Sequence, residues 1–202
     1  MVGETQGISR RGAVARRTGE TDIRVELSLE GRGKFEGSSG IAFLDHLLAQ
    51  LAKHGLLDLK VEAKGDLEVD GHHTVEDLGI CLGQALSQAL GPKEGIHRYG
   101  SAFIPMDEAL VVVALDVSGR PYLAYELELA SERLGGLDTE LVEEFLRALV
   151  NNSGLTLHVR KLAGRNSHHL AEALFKALGR ALRQAVSLDP GVLGIPSTKG
   201  VL

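Results

Sequence analysis

One five-residue pattern occurs twice in this chain, and it constrains the fold more than any other feature. His72-His73-Thr74-Val75-Glu76 returns as His168-His169-Leu170-Ala171-Glu172, at an offset of 96 (168 minus 72). Leu57-Asp58-Leu59 and the segment around His46 return near Leu155-Thr156-Leu157 and Glu144, offset by 98 (155 minus 57). Gly31-Arg32 matches Gly119-Arg120, and Glu20 matches Glu108, offset by 88 (119 minus 31). Five matches in one order mark a tandem duplication of a unit about half the chain long. The expected division is 1–93 and 94–202, folded as one compact duplicated domain.

Each copy shows the same succession of periodicities. Alternating apolar residues predict a strand at Ile23, Val25, Leu27 and Leu29, and again at Val111, Val113, Leu115 and Val117. A Gly-Arg turn follows, then a second strand, read over Tyr122 to Leu129 in the later copy. Leu44, Leu47, Leu48 and Leu51 repeat at helical spacing, with Gly55 placed to end that helix. The later copy has its stripe at Leu141, Phe145 and Leu149, with Asp138 as the expected N-cap. A short strand comes next (Leu57 to Val61; Leu155 to Val159), then a longer helix opening at each His-His pair. Strands interleaved with helices predict an α+β fold of two similar lobes. Pro190, Gly191, Gly194 and Pro196 predict an irregular tail.

Composition narrows the function classes. A net charge of −5 and 4% aromatic residues argue against a nucleic-acid binder. No apolar run is long enough to span a bilayer. The N-terminus has arginines but no apolar core of a secretory signal. The single cysteine, Cys81, excludes an intrachain disulfide, suits a reducing cytoplasm and is expected to be buried packing.

The histidines carry the chemistry. On a helix, Glu76 lies one turn from both His72 and His73, and Glu172 from both His168 and His169. Adjacent histidines diverge around the helix, so one of each pair is expected to serve one metal and its neighbour another. A single such pair is equally well read as a polar cap. Two pairs, each with Glu at the same spacing, favour metal binding. Nitrogen and carboxylate donors without cysteine suit Mn2+, Fe2+ or Zn2+ and disfavour a closed structural zinc. His46 and its counterpart Glu144 are candidates for the remaining ligands. His54 ends its helix and equally suits a dipole partner. His97 and His158 lack this symmetry, and His158 reads as structural.

Arg98, Arg120, Lys176 and Lys199 each adjoin a special feature. Each alone reads as solvated, but together they predict recognition of a phosphate-bearing substrate, with Ser197, Thr198 and the tail backbone as further donors.

These segments, with Phe43-Leu44-Asp45-His46, Pro105-Met106-Asp107-Glu108-Ala109-Leu110, Ser118-Gly119-Arg120-Pro121, Gly164-Arg165-Asn166-Ser167-His168-His169 and Pro196-Ser197-Thr198-Lys199-Gly200, resemble the imidazoleglycerol-phosphate dehydratase family along nearly the whole chain. The resemblance implies two β-sheets with helices packed between them, in the ribosomal protein S5 domain 2-like arrangement. It also implies a cytoplasmic shell of about 24 subunits, with two Mn2+ per active site where subunits meet. The implied metal ligands are His46, His72, His73, Glu76, His168, His169 and Glu172. Glu144 stands where many relatives carry histidine and is kept as a ligand. Glu20, His54, Arg98, Arg120, Lys176, Ser197, Thr198 and Lys199 are the implied substrate contacts. The implied reaction dehydrates imidazole glycerol phosphate, held as imidazolate by two metals, to imidazole acetol phosphate in histidine biosynthesis. Glu20 is the candidate general base; Glu172 is a second, weaker candidate because a metal-bound carboxylate is a poorer base. The competing expectations are a two-metal hydrolase, a non-catalytic metal scaffold and, weakest, a nucleic-acid binder.

Overall fold

The computed structural model describes residues 10–202, so the reading of the N-terminus as having no secretory signal lies partly outside them. The first copy runs β1 (Arg11–Arg17), β2 (Thr21–Ser28), β3 (Phe35–Ser38), α1 (Ala42–Gly55), β4 (Asp58–Gly65) and α2 (His72–Leu90). The second runs β5 (Tyr99–Met106), β6 (Ala109–Asp116), β7 (Tyr122–Glu126), β8 (Arg133–Leu134), β9 (Leu137–Asp138), α3 (Leu141–Ser153), β10 (Thr156–Ala163) and α4 (Ser167–Val186). The two four-stranded sheets have matching orders, β1-β2-β4-β3 and β5-β6-β10-β7. In each, three strands are antiparallel and the fourth is parallel, reached by a helical crossover.

Alternation along β2 decides which face of the first sheet is covered. Ile23, Val25 and Leu27 are buried while Arg24 and Glu26 between them are exposed. In β6, Val111, Val113 and Leu115 are likewise buried. All four helices lie against these inner faces, which gives the expected α+β architecture with helices between two sheets.

The helices pair across the duplication. Helix α1 of the first copy packs on α4 of the second, and α2 on α3. Glycine permits the close approach. A Cβ at Gly79 or Gly83 of α2 would lie 2.7 or 2.6 Å from the Phe145 or Leu149 carbonyl oxygen of α3. A Cβ at Gly179 of α4 would lie 2.6 Å from the Leu51 carbonyl of α1. Phe145 and Phe175, both fully buried, stack at 5.8 Å between centroids in the seam.

Three local expectations need correction. The strand read to Leu129 ends at Glu126, because the chain leaves the sheet for the β8–β9 hairpin. That hairpin has no counterpart between β3 and α1 of the first copy and accounts for the rise in repeat offset from 88 to 98. Asp138 does not cap α3: it lies in β9 with its carboxylate on Arg133, and the helix starts from Glu140 without a side-chain cap. Gly55 is the last residue inside α1, and Leu56 takes the left-handed turn at φ 50°. Gly55 is needed for packing instead, since a Cβ there would sit 2.9 Å from the Leu57 side chain and 3.2 Å from Gly179 O. In the second copy Gly154 makes the equivalent turn.

Cys81 is buried, and burial, then Asp77, pushes its thiol up to about 11, so it is a packing residue. Among the described residues no helix is long and apolar enough to cross a membrane.

The strand–helix contacts repeat in both copies. A Cβ at Gly12 in β1 would lie 1.9 Å from Ala85 O of α2, and one at Gly100 in β5 would lie 1.9 Å from Ala181 O of α4. Gly12→Ala and Gly100→Ala are each expected to lower stability by roughly 1–3 kcal/mol through overpacking. Gly136→Ala, at a site with nothing within 4 Å, should be near neutral. Urea unfolding of the three variants checks this, and equal midpoints would refute the packing account.

Candidate functional site

Helix α4 begins at Asn166, whose side-chain oxygen accepts from His168 N at 3.0 Å and His169 N at 3.4 Å. That cap fixes where the histidine pair leaves the helix. His168 and Glu172 then share a face, one turn apart, with His168 Nε2 3.0 Å from Glu172 Oε1. Helix α1 brings His46 to the same oxygen, with Nε2 at 2.6 Å. One ligand atom from each of the three side chains lies within 4.8 Å of the others. Lys176 Nζ takes the other Glu172 oxygen at 2.7 Å. The Phe43 ring walls one side, 5.2 Å from the His168 ring.

Glu172 is 6% exposed. Burial pushes its carboxyl up, but hydrogen bonds from His46 and Lys176, the Lys176 charge and His168 outweigh this and hold it down to about 2. The result is a buried anion with two imidazoles aimed at it. Two nitrogens and a carboxylate oxygen around one point fit a divalent cation of the Mn2+, Fe2+ or Zn2+ type. Because His46 belongs to one copy and His168 and Glu172 to the other, the cross-copy helix pairing builds this cluster.

Helix α3 carries Glu144, the repeat counterpart of His46, and packs on α2, which carries His72 and Glu76. Here the groups stay apart: His72 Nε2 is 4.0 Å from Glu76 Oε2, and Glu144 lies 3.8 Å from Arg147.

The second histidine of each pair points elsewhere. The His72 and His73 rings are nearly perpendicular, at 88°, and those of His168 and His169 at 87°. His73 Nδ1 bonds Asp66 at 3.0 Å, which raises its pKa, while Nε2 lies 3.8 Å from Glu20. His169 Nδ1 bonds Glu108 Oε2 at 2.8 Å. The His169 hydrogen bond and the backbone N–H groups of Asn166 and Arg165 hold Glu108 down to about 2.

A separate group collects around Asp116. Arg98 donates to it from Nε and Nη2 at 2.8 and 3.1 Å, and Arg120 lies 3.8 Å away. Arg98 also donates to the tail carbonyl of Pro196 at 2.9 Å, and within the tail Lys199 N donates to Ser197 Oγ at 3.2 Å. Thr198 lies between those two residues. Lys176 is not in this group: besides Glu172, its contact is Met106 Sδ at 3.5 Å. Arg98 precedes β5 and Met106 ends it, so the arginines and the Glu172 cluster are separated by a strand length of roughly 25 Å. His54 stands two turns along α1 from His46; its pKa is lowered by burial, then by Lys176 and Arg180. His97 lies 3.4 Å from Asp189, and His158 packs on Tyr122 at 5.9 Å.

Asp66 and Asp116 carried no signal in the periodicity, because each meets its partner from outside the partner's own element. Glu108 did carry one, as the repeat counterpart of Glu20.

The sequence matches the family model for imidazoleglycerol-phosphate dehydratase over residues 39–182. A curated protein of that name from Moorella thermoacetica is 72% identical, covering 96% of this chain and 100% of its own length. One from Acetivibrio thermocellus is 59% identical over the same shares. The crystal structure of the dehydratase from Staphylococcus aureus superposes with a TM-score of 0.80 at 40% identity, covering 89% of this chain and 99% of its own. That of the Pyrococcus furiosus protein, in complex with (S)-C348, gives 0.79 at 38% identity, covering 94% and 100%. With the duplicated fold and the histidine–glutamate clusters in the same chain, these matches lead to one conclusion: the chain belongs to the imidazoleglycerol-phosphate dehydratase family, hydro-lyases of histidine biosynthesis.

Proposed function

We propose that this chain dehydrates imidazole glycerol phosphate to imidazole acetol phosphate, with two Mn2+ per active site holding the substrate ring as imidazolate. The observation that carries the reading is the Glu172 carboxylate, buried and approached by His46 and His168 from different copies of the repeat. In this reading His46, His168 and Glu172 hold one ion, and His72, Glu76 and Glu144 hold the other. His73 and His169 would supply further ligands. When bound, the metals supply Lewis acidity toward the ring nitrogens and the departing hydroxyl.

The protein's own groups do the rest. Water is lost by breaking the C–O bond on the carbon next to the ring and a C–H bond on the carbon beyond it. Glu20, 55% exposed beside His73, takes that proton. The enol so formed tautomerises to the ketone. Lys176 neutralises the outer oxygen of Glu172 and keeps that carboxylate ionised. Arg98, Arg120, Ser197, Thr198 and Lys199 hold the phosphate, away from the chemistry, and so orient the reacting carbons. Lys176 and His54 contribute from the cluster side.

A substrate whose ring and phosphate are joined by a three-carbon chain cannot bridge roughly 25 Å, the length of β5. The cations of one copy are therefore proposed to serve the metal cluster of another, in a large symmetric cytoplasmic particle of about 24 subunits. The halves 1–93 and 94–202 act in it as one duplicated domain.

Incubation with Mn2+ and imidazole glycerol phosphate tests the reaction: a ketone without inorganic phosphate is expected, lost on chelation and restored by Mn2+. Phosphate release instead would indicate a hydrolase and overturn the reading. Glu20→Gln should keep substrate affinity and lose about 10²–10⁴-fold in turnover. Near-normal turnover removes Glu20 as the base. Mixed assemblies of inactive Arg98→Ala and inactive His168→Ala chains should regain activity at sites built from one intact part of each. No recovery from mixed particles would place the whole site within one chain.

A further inference from the structure

We propose that Glu108 is a positioning residue: it holds His169 in the Nδ1–H tautomer and so keeps Nε2 as a lone-pair donor for the metal. The inference rests on the metal reading above, but its evidence is independent of it. Glu108 Oε1 accepts from the backbone N–H groups of Arg165 at 3.1 Å and Asn166 at 2.8 Å, which fixes the carboxylate at the start of α4. Its other oxygen lies 2.8 Å from His169 Nδ1. An ionised carboxylate only accepts, so Nδ1 must donate.

The opposite edge of the ring gives the same answer. Asn166 uses its side-chain oxygen to cap the helix, accepting from His168 N and His169 N. Its amide nitrogen is thereby turned toward His169 Nε2, at 3.4 Å. An amide nitrogen only donates, so Nε2 must accept. Asp107, 3.7 Å from Nε2 and 77% exposed, is too far to compete as an acceptor.

The first copy reaches the same arrangement by another route. His73 Nδ1 is held by Asp66, in the connection from β4 to α2, whereas Glu108 comes from the turn between β5 and β6. Two copies of one ancestral unit thus use different elements to bond the same ring nitrogen. A packing role alone gives no reason for that agreement, and presentation of Nε2 does. Carboxylates bonded to the far nitrogen commonly orient histidine ligands in this way.

The test uses metal-free, 15N-histidine-labelled protein at alkaline pH, read by magic-angle-spinning NMR, with His169 assigned by its loss in His169→Asn. The wild type should show His169 protonated on Nδ1. Glu108→Ala should move it toward the Nε2–H form and weaken Mn2+ binding, titrated by the electron paramagnetic resonance of free Mn2+, about 10–100-fold. Asp66→Ala should do the same to His73 while leaving His169 unchanged. If Glu108→Ala does not fold, Glu108→Gln carries both readouts. Retention of the Nδ1–H form in the Glu108 variant, or a changed tautomer with unchanged Mn2+ affinity, overturns the proposal. A wild type that binds no Mn2+ sinks the metal reading, while the tautomer measurement still decides what Glu108 does.

Discussion

Everything in this molecule depends on helices pairing between the two copies of the repeat, not within them. Helix α1 lies on α4 and α2 on α3, at distances where a methyl group on Gly79, Gly83 or Gly179 would strike the facing backbone. Neither copy can bury its own helices alone, so the duplicated unit folds as an interlocked pair. The same contact that closes the core brings His46 within hydrogen-bonding distance of Glu172.

Among the described residues, the interlock draws a tight cluster together at one helix pair and not at the other. At α1–α4, an imidazole faces the helix glutamate, and Lys176 balances the remaining charge, so a tight group forms from the protein's own side chains. At α2–α3 the counterpart of His46 is Glu144, which lies 3.8 Å from Arg147, and no such group forms there among the described residues.

Separation within the chain is equally informative. The strand β5 has Arg98 at one end and, at the other, Met106 against Lys176. A rigid strand in a packed sheet does not shorten, so the cationic group at Asp116 and the carboxylate cluster stay at opposite ends of the second sheet. The symmetric association proposed above would bring such ends together without any change in the fold.

Much of this was legible in residue order. The repeat, the alternating strands at Ile23 to Leu29 and Val111 to Val117, the helical stripes and the His-His-x-x-Glu pairs all follow from local periodicity, which the chain carries along itself. Periodicity also misled locally: Asp138 suits an N-cap and Gly55 a helix stop, yet Arg133 claims the first and the Gly179 contact claims the second. What only the tertiary structure decided is which carboxylate each imidazole meets. Glu172 for His46, Asp66 for His73 and Glu108 for His169 lie 126, 7 and 61 residues away in the chain. No spacing rule links them, because contacts made across packed helices and sheet edges depend on how the surfaces dock, not on sequence separation.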